Sequence, residues 1–200
     1  HVAVIDAAHC LHFTGKSCRA CEDVCSFDAV DYDAVETTRE LDIGAVVVAT
    51  GFSAFDPVHS QRYGKGGIDN VITACAFERL MNTGGPTDGR IRLVDGREPE
   101  SVAFVHCVGS RSEAANRYCS GICCLTAAKH AQQLNRKLPQ VVLHHLFADL
   151  CLPGKTAQHF FDRVHASTDA KLHRLARPDA LTITGGSECV VIAYTDISGC

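Results

Sequence analysis

The chain has 200 residues, 46% of them hydrophobic and 21% charged, with a formal net charge of −4 at pH 7. That is enough apolar material for one large or two small domains with a core, and it excludes a disordered chain. No basic run gives a general reason to bind nucleic acid, no apolar run is long enough to span a membrane, and no charged-then-apolar signal opens the sequence.

The chain starts on HVAVID, which reads as a strand, and closes on TDISGC soon after another strand-like run. Both ends are therefore expected to be cut from a longer polypeptide. Twelve cysteines are present. A secreted disulfide scaffold is usually shorter and poorer in apolar strands. Eight of the twelve fall into two tight clusters, which favours metal over disulfide. Cys75, Cys151, Cys189 and Cys200 are scattered and read as small buried apolar residues.

The first cluster lies within CLHFTGKSCRACEDVCS, where Cys10, Cys18, Cys21 and Cys25 are spaced C-x7-C-x2-C-x3-C. A C-x2-C step puts two sulfurs on one tight loop, and the C-x3-C that follows matches half of a bacterial ferredoxin. The first gap is longer than usual, and Ser26 stands where proline commonly follows the last cysteine. Four thiolates also satisfy tetrahedral zinc, with His9 and His12 as competing ligands. If a partner motif lies upstream, Cys25 serves that other cluster.

After TTRELDIG the character changes. Ala45, Val46, Val47 and Val48 form a continuous apolar run suited to a strand buried on both faces. It ends in Ala49, Thr50 and Gly51, where small residues let a backbone approach a ligand closely. Residues 53–100 are rich in turn signals, interrupted by a short helix near TACAFERLMN, and GKGG at 64–67 reads as a plain loop. SVAFVHC is a second buried strand. CCLTAAKHAQQLNRKL is a helix with Cys124, Ala128, Ala131, Leu134 and Leu138 at helical spacing. QVVLHHLFADL is a third strand, TAQHFFDRVHAS a helix, and LTIT and CVVIAYTD two strands around a Gly-Gly turn. Strand, helix, strand, helix predicts an α/β layer with a parallel sheet. His144 and His145 lie on a strand and point to opposite faces, so at most one joins a site.

The second cluster reads C-x11-C-x3-C-C: Cys107, Cys119, Cys123 and Cys124. A vicinal disulfide is strained, so metal ligation suits the set better. Cys119 and Cys123 are four apart, a spacing that a helical turn places on one side. Cys123 and Cys124 open the helix, where the positive dipole end favours an anionic thiolate cluster. Cys107 follows a strand, at the edge where doubly wound sheets bind ligands. Gly109 stands alone there, without the glycine triplet of a nicotinamide site. Arg111 and Arg117 either offset the cluster's negative charge or are simply solvated. A zinc-stabilised module without redox function and a thiol–disulfide enzyme are the alternatives.

The stretch CVGSRSEAANRYCSGICC, with DNVITACAFERLMNTGGPTDGRIRLVDGREPESVAFVH before it and LCLPGKTAQHFFDRV after it, resembles the A subunit of heterodisulfide reductase. It also resembles the related flavoprotein of the quinone-interacting membrane-bound oxidoreductase. The resemblance implies a thioredoxin-reductase-like flavoprotein fold of Rossmann-type layers with an inserted ferredoxin-like segment. It divides the chain into a ferredoxin-like part (1–37), a returning part of an FAD domain with a linker (38–100), and a Rossmann-like second domain (101–200). It makes Cys107, Cys119, Cys123 and Cys124 the ligands of one [4Fe–4S] cluster and Cys10, Cys18, Cys21 and Cys25 those of another. Ala49, Thr50 and Gly51 match the segment returning to FAD, whose pyrophosphate turn is expected before residue 1. The gap between Cys107 and Cys119 is closer to the quinone-linked branch. The implied role is electron transfer between FAD and the clusters, onward to other subunits of a redox complex, with no nucleic acid. Iron–sulfur clusters and free thiols fit a reducing cytoplasm, with peripheral membrane association open.

Overall fold

Apolar runs separated by helix-length segments become strands of one parallel sheet. In the computed structural model, residues 4–185 and 189–197 are described. The chain divides into two units, His1–Gly51 and Phe52–Cys200.

The second unit holds the sheet, with β1 (Ser101–Val105), β2 (Val142–Phe147) and β3 (Lys171–Arg174) in the order β1-β2-β3. All pairings are parallel; Val105 stands opposite Leu146, and Phe147 opposite Arg174. Helices α3 (Cys123–Lys137) and α4 (Ala157–Thr168) make the two crossovers, as parallel neighbours require. Local pattern does not announce β3: KLHR is short and mostly polar, and only pairing with β2 makes it a strand.

Alternation along β2 decides what each face holds. Leu143 packs with Ala131 and Leu134 of α3, and His145 meets Phe161 of α4 edge-on, with ring centroids 6.4 Å apart. Leu146, on the other face, packs with Tyr63, Leu175, Leu181 and Ile183. That second layer includes the antiparallel hairpin β4 (Leu181–Gly185) and β5 (Val190–Tyr194). Full burial of Leu134, Leu143 and Leu175 contributes about 1.5–3 kcal/mol each. The helical spacing holds: Cys124, Ala128, Ala131 and Leu134 are buried, and Leu138 packs half-buried against the same cluster.

Helix α2 (Ala74–Met81) starts where Thr73 Oγ1 accepts from the Ala76 N–H at 3.2 Å, an N-cap. It buries Phe77 and Met81, one turn apart. Glu78 links it to α3 through Lys129 Nζ at 2.7 Å and His130 Nε2 at 3.2 Å. The GKGG stretch is not a plain loop, because the chain is 3-10 helical over Gln61–Gly66. Gly64, at φ +71°, makes the tight turn possible, since a Cβ there would sit 2.1 Å from Ile68 Cδ1.

The first unit is mostly turns around one short helix, α1 (Ala20–Asp23). Tyr32 organises it: His12 stacks on its ring at 4.0 Å, and the Arg19 guanidinium lies 5.4 Å from its centroid. Two strand expectations fail here. Residues 1–3 lie outside the described residues, and 4–6 of HVAVID form no strand. Val46, Val47 and Val48 are neither strand nor buried; Val47 is 90% exposed. An apolar run becomes a buried strand only beside another strand's hydrogen-bonding edge, and among the described residues none pairs with it.

Candidate metal centre

The carboxyl ends of β1 and β2 emerge side by side, and the His106 N–H extends their ladder by donating to the Leu146 carbonyl at 3.0 Å. The chain then turns sharply. Cys107 takes a left-handed conformation (φ +58°), followed by Gly109 (φ +71°) and Arg111 (φ +56°). Asn116 ties the loop back, since its Nδ2 donates to the Gly109 carbonyl at 2.9 Å. The turn buries Cys107 at the foot of α3.

Cys123 and Cys124 are the first two residues of α3, and no side chain caps this terminus. Its leading N–H groups and positive dipole end therefore face the sulfurs. The Cys107 and Cys124 thiols, the Ser120 hydroxyl and the Cys107 backbone lie close enough to Cys123 for hydrogen bonding to its sulfur. Their influence, led by that of Cys107, pushes Cys123 far below the ordinary thiol range. Nearness to Cys123 pushes Cys107 and Cys124 far above it, and burial adds to this. The Arg111 side chain reaches Cys107 and opposes that rise, and its Nη2 donates to Asp149 Oδ2 at 3.1 Å. Arg117, by contrast, is a solvated side chain 3.5 Å from Glu113.

Cys119 is exposed and lies outside the helix, which begins only at Cys123; the expected helical turn does not position it. The Gly121 N–H donates to its sulfur at 3.3 Å. Its thiol neighbour is Cys151, a residue whose isolated place in the sequence suggests only a buried apolar side chain. Cys151 is half-buried, and its nearness to Cys119 is the first cause that raises its pKa. Cys75 and Cys189 are exposed, against the same expectation; Cys75 lies in the first turn of α2 and Cys189 just before β5. Cys200 lies outside the described residues. One signal for Cys151 is present in the sequence: it follows β2 as Cys107 follows β1, and parallel neighbours bring those ends together.

Behind the thiols sits a buried histidine pair, His106 Nε2 to His145 Nδ1 at 3.0 Å. Burial is the first cause holding both neutral, with His106 lowered to about 4 and His145 to about 3. His106 Nδ1 is buried without a partner. His144 points to the other face and meets His173 at 2.9 Å.

In the first unit, Cys10, Cys18 and Cys25 are half-buried and Cys21, on α1, is exposed. Cys10, Cys18 and Cys21 surround Tyr32 closely enough that their charge, after burial, helps raise its pKa. The Ala29 N–H donates to Cys25 Sγ at 3.4 Å and is the first cause of its lowered pKa. Ala49, Thr50 and Gly51 end an exposed stretch without regular secondary structure, with Gly51 at φ +75°.

Among the described residues, no three His, Cys, Asp or Glu side chains already form a closed set around one metal ion. The sulfurs instead touch in a chain of pairs. Their chemistry fits a soft-metal group: several thiols, a helix start and a guanidinium, all favouring bound thiolate. For FAD the fit is poor. Among the described residues no glycine-rich turn joins a strand to a helix to hold a pyrophosphate.

A parallel α/β layer gathering thiols at the carboxyl ends of its strands is thus the class of molecule. The relatives make this particular. The chain is 38% identical over 194 residues to the A subunit of the H(2):CoB-CoM heterodisulfide,ferredoxin reductase of Methanothermobacter thermautotrophicus, covering 93% of this chain and 28% of that protein. It is 35% identical over 197 residues to the iron-sulfur A subunit of the CoB–CoM heterodisulfide reductase of Methanocaldococcus jannaschii, covering 98% and 29%. It is 36% identical over 166 residues to the A subunit of the ferredoxin:CoB-CoM heterodisulfide reductase of Methanosarcina mazei, covering 81% and 20%. Over this segment the chain is a relative of the heterodisulfide reductase A subunits. It spans a little over a quarter of the length of the first two. No protein-family model matches it. Among the described residues no helix is long and apolar enough to cross a membrane.

Proposed function

We propose that this segment carries two [4Fe–4S] clusters in an electron-transferring oxidoreductase of the heterodisulfide reductase A type. The observation that carries the reading is the thiol chain of Cys107, Cys123 and Cys124 at the uncapped start of α3. The iron-sulfur name of a relative supports it. When bound, such clusters supply one-electron transfer. Cys107, Cys119, Cys123 and Cys124 hold one, and Cys10, Cys18, Cys21 and Cys25 the other. Arg111 and the α3 terminus offset negative charge at the former. The neutral, buried His106 and His145 keep the sheet side of that centre dry and uncharged. Burial and hydrogen bonds to sulfur set such potentials.

By the same resemblance the organisation is a ferredoxin-like part (1–37), a returning FAD-domain part (38–100) and a Rossmann-like domain (101–200) of a thioredoxin-reductase-like flavoprotein. Ala49, Thr50 and Gly51 approach FAD whose pyrophosphate is held elsewhere. Electrons then pass to other subunits of a larger redox complex in the cytoplasm. Iron, sulfide and zinc analysis, with EPR of the dithionite-reduced protein, tests the reading. About eight irons and eight sulfides from these eight cysteines support it. Colourless protein with two zinc ions overturns it in favour of a non-redox module.

A further inference from the structure

We propose that His144, His173 and Tyr194 form an acid-sensitive clasp between the parallel sheet and the hairpin packed on it.

The three side chains join three strands. In the parallel register Leu146 stands opposite His173 and His144 opposite Lys171, so both histidines belong to the face on which the hairpin packs around Leu146. His144 Nδ1 lies 2.9 Å from His173 Nε2, and His173 Nδ1 lies 2.8 Å from the Tyr194 hydroxyl of β5. The two imidazole centroids are 5.2 Å apart, with their planes at 23°. At that separation the nitrogens approach so closely only along the line of centres, and the rings therefore meet end to end. This is the geometry of one linear N–H···N bond.

Such a bond holds one proton, with one ring donating and the other accepting. It survives with both rings neutral or with one charged. With both charged, N–H faces N–H across 2.9 Å, the bond is lost, and two like charges are left in contact. Lys171, opposite His144, adds positive charge. Around them, Arg174 Nε donates to the Ala148 carbonyl, and Asp179, ahead of β4, pairs with Arg62 and Arg177. Asp196, beyond Tyr194, lies in the bridge to Leu175. Ala103 of β1 and Leu181 of β4, opposite His144 and Tyr194, carry no charge. Burial first, then His173 and Lys171, lower the His144 pKa from 6.5. The clasp is thus closed above pH 6.5 and opens as the pH falls below it. It fastens the seam beside it, where the Ala176 N–H donates to the Thr195 carbonyl at 3.0 Å and the Ile197 N–H to the Arg174 carbonyl at 3.1 Å.

Hydrogen exchange of the full-length chain, read by mass spectrometry on peptides covering 171–178 and 190–197, tests the clasp once rates are corrected for the intrinsic effect of pH. In the wild type, exchange of these peptides is expected to rise about fivefold between about pH 7.5 and pH 5, as the loss of one hydrogen bond implies, while peptides of α3 keep their protection. Tyr194→Phe is expected to exchange about fivefold faster already at neutral pH and to show no further rise. His144→Leu removes the facing charge but keeps the bond from His173 to Tyr194, so it is expected to stay protected over the whole range. Flat wild-type protection overturns the proposal, as does an equal rise in His144→Leu or a matching loss in α3. Where His144→Leu fails to fold, Tyr194→Phe decides, because protection equal to that of the wild type at neutral pH overturns the clasp.

Discussion

Gly109 couples the fold to the thiol site, and replacing it by alanine tests that coupling. The residue sits two positions beyond Cys107 at φ +71°, and an added Cβ would lie 2.2 Å from Phe55 Cγ and 2.7 Å from Phe55 Cβ. Rotating the ring relieves only the first contact. The loop cannot drift away freely, because the Asn116 N–H and Nδ2 hold the Gly109 carbonyl at 3.2 and 2.9 Å. A left-handed conformation costs an L residue about 1–2 kcal/mol, and overpacking adds about 1–3 kcal/mol. Gly109→Ala should therefore lose about 2–5 kcal/mol. Urea unfolding at unchanged m-value measures it. In a Phe55→Ala background the same change should cost at least about 1 kcal/mol less, because the ring atoms are gone and only Cβ remains. A loss under about 0.5 kcal/mol, or equal losses in both backgrounds, refutes the steric argument.

Further outcomes follow from the same structure. His145 is buried and neutral, its pKa lowered to about 3 from 6.5, so the unfolded chain takes up a proton near pH 6.5 that the folded chain refuses. Its stabilising effect is complete above pH 6.5 and is lost as pH falls towards 3. Between pH 7.5 and 5.5 the wild type should lose about 1.4 kcal/mol more than His145→Phe; parallel stability–pH curves would contradict this. Leu143→Ala, at 1% exposure in the middle of β2, should cost about 2–5 kcal/mol in denaturant unfolding, and a cost below about 1 kcal/mol would mean the site collapses without a cavity. Cys123→Ser should remove about four irons per chain and Cys21→Ser another four, the double variant losing both sets; a Cys123→Ser protein with its full iron complement would speak against Cys123 as a ligand.

Local pattern determined much of this protein. Helical spacing from Cys124 to Leu134 marked the face of α3 that packs on the sheet, because a 3.6-residue period has one buried stripe. Alternation in β2 separated His144 from His145, and the start of the helix at Cys123 followed from where the apolar period begins. Short-range thiol spacing pointed to metal in both clusters. What depended on partners distant in sequence was not legible. The run from Ala45 to Val48 has every local mark of a buried strand, yet burial needs an adjacent edge, and no described strand offers one. β3 is a strand only because β2 pairs with it. Cys151 stands twenty-seven positions after Cys124, too far for any spacing rule. It reaches the other thiols because two parallel strands end side by side, and that adjacency belongs to the sheet and not to the string of residues.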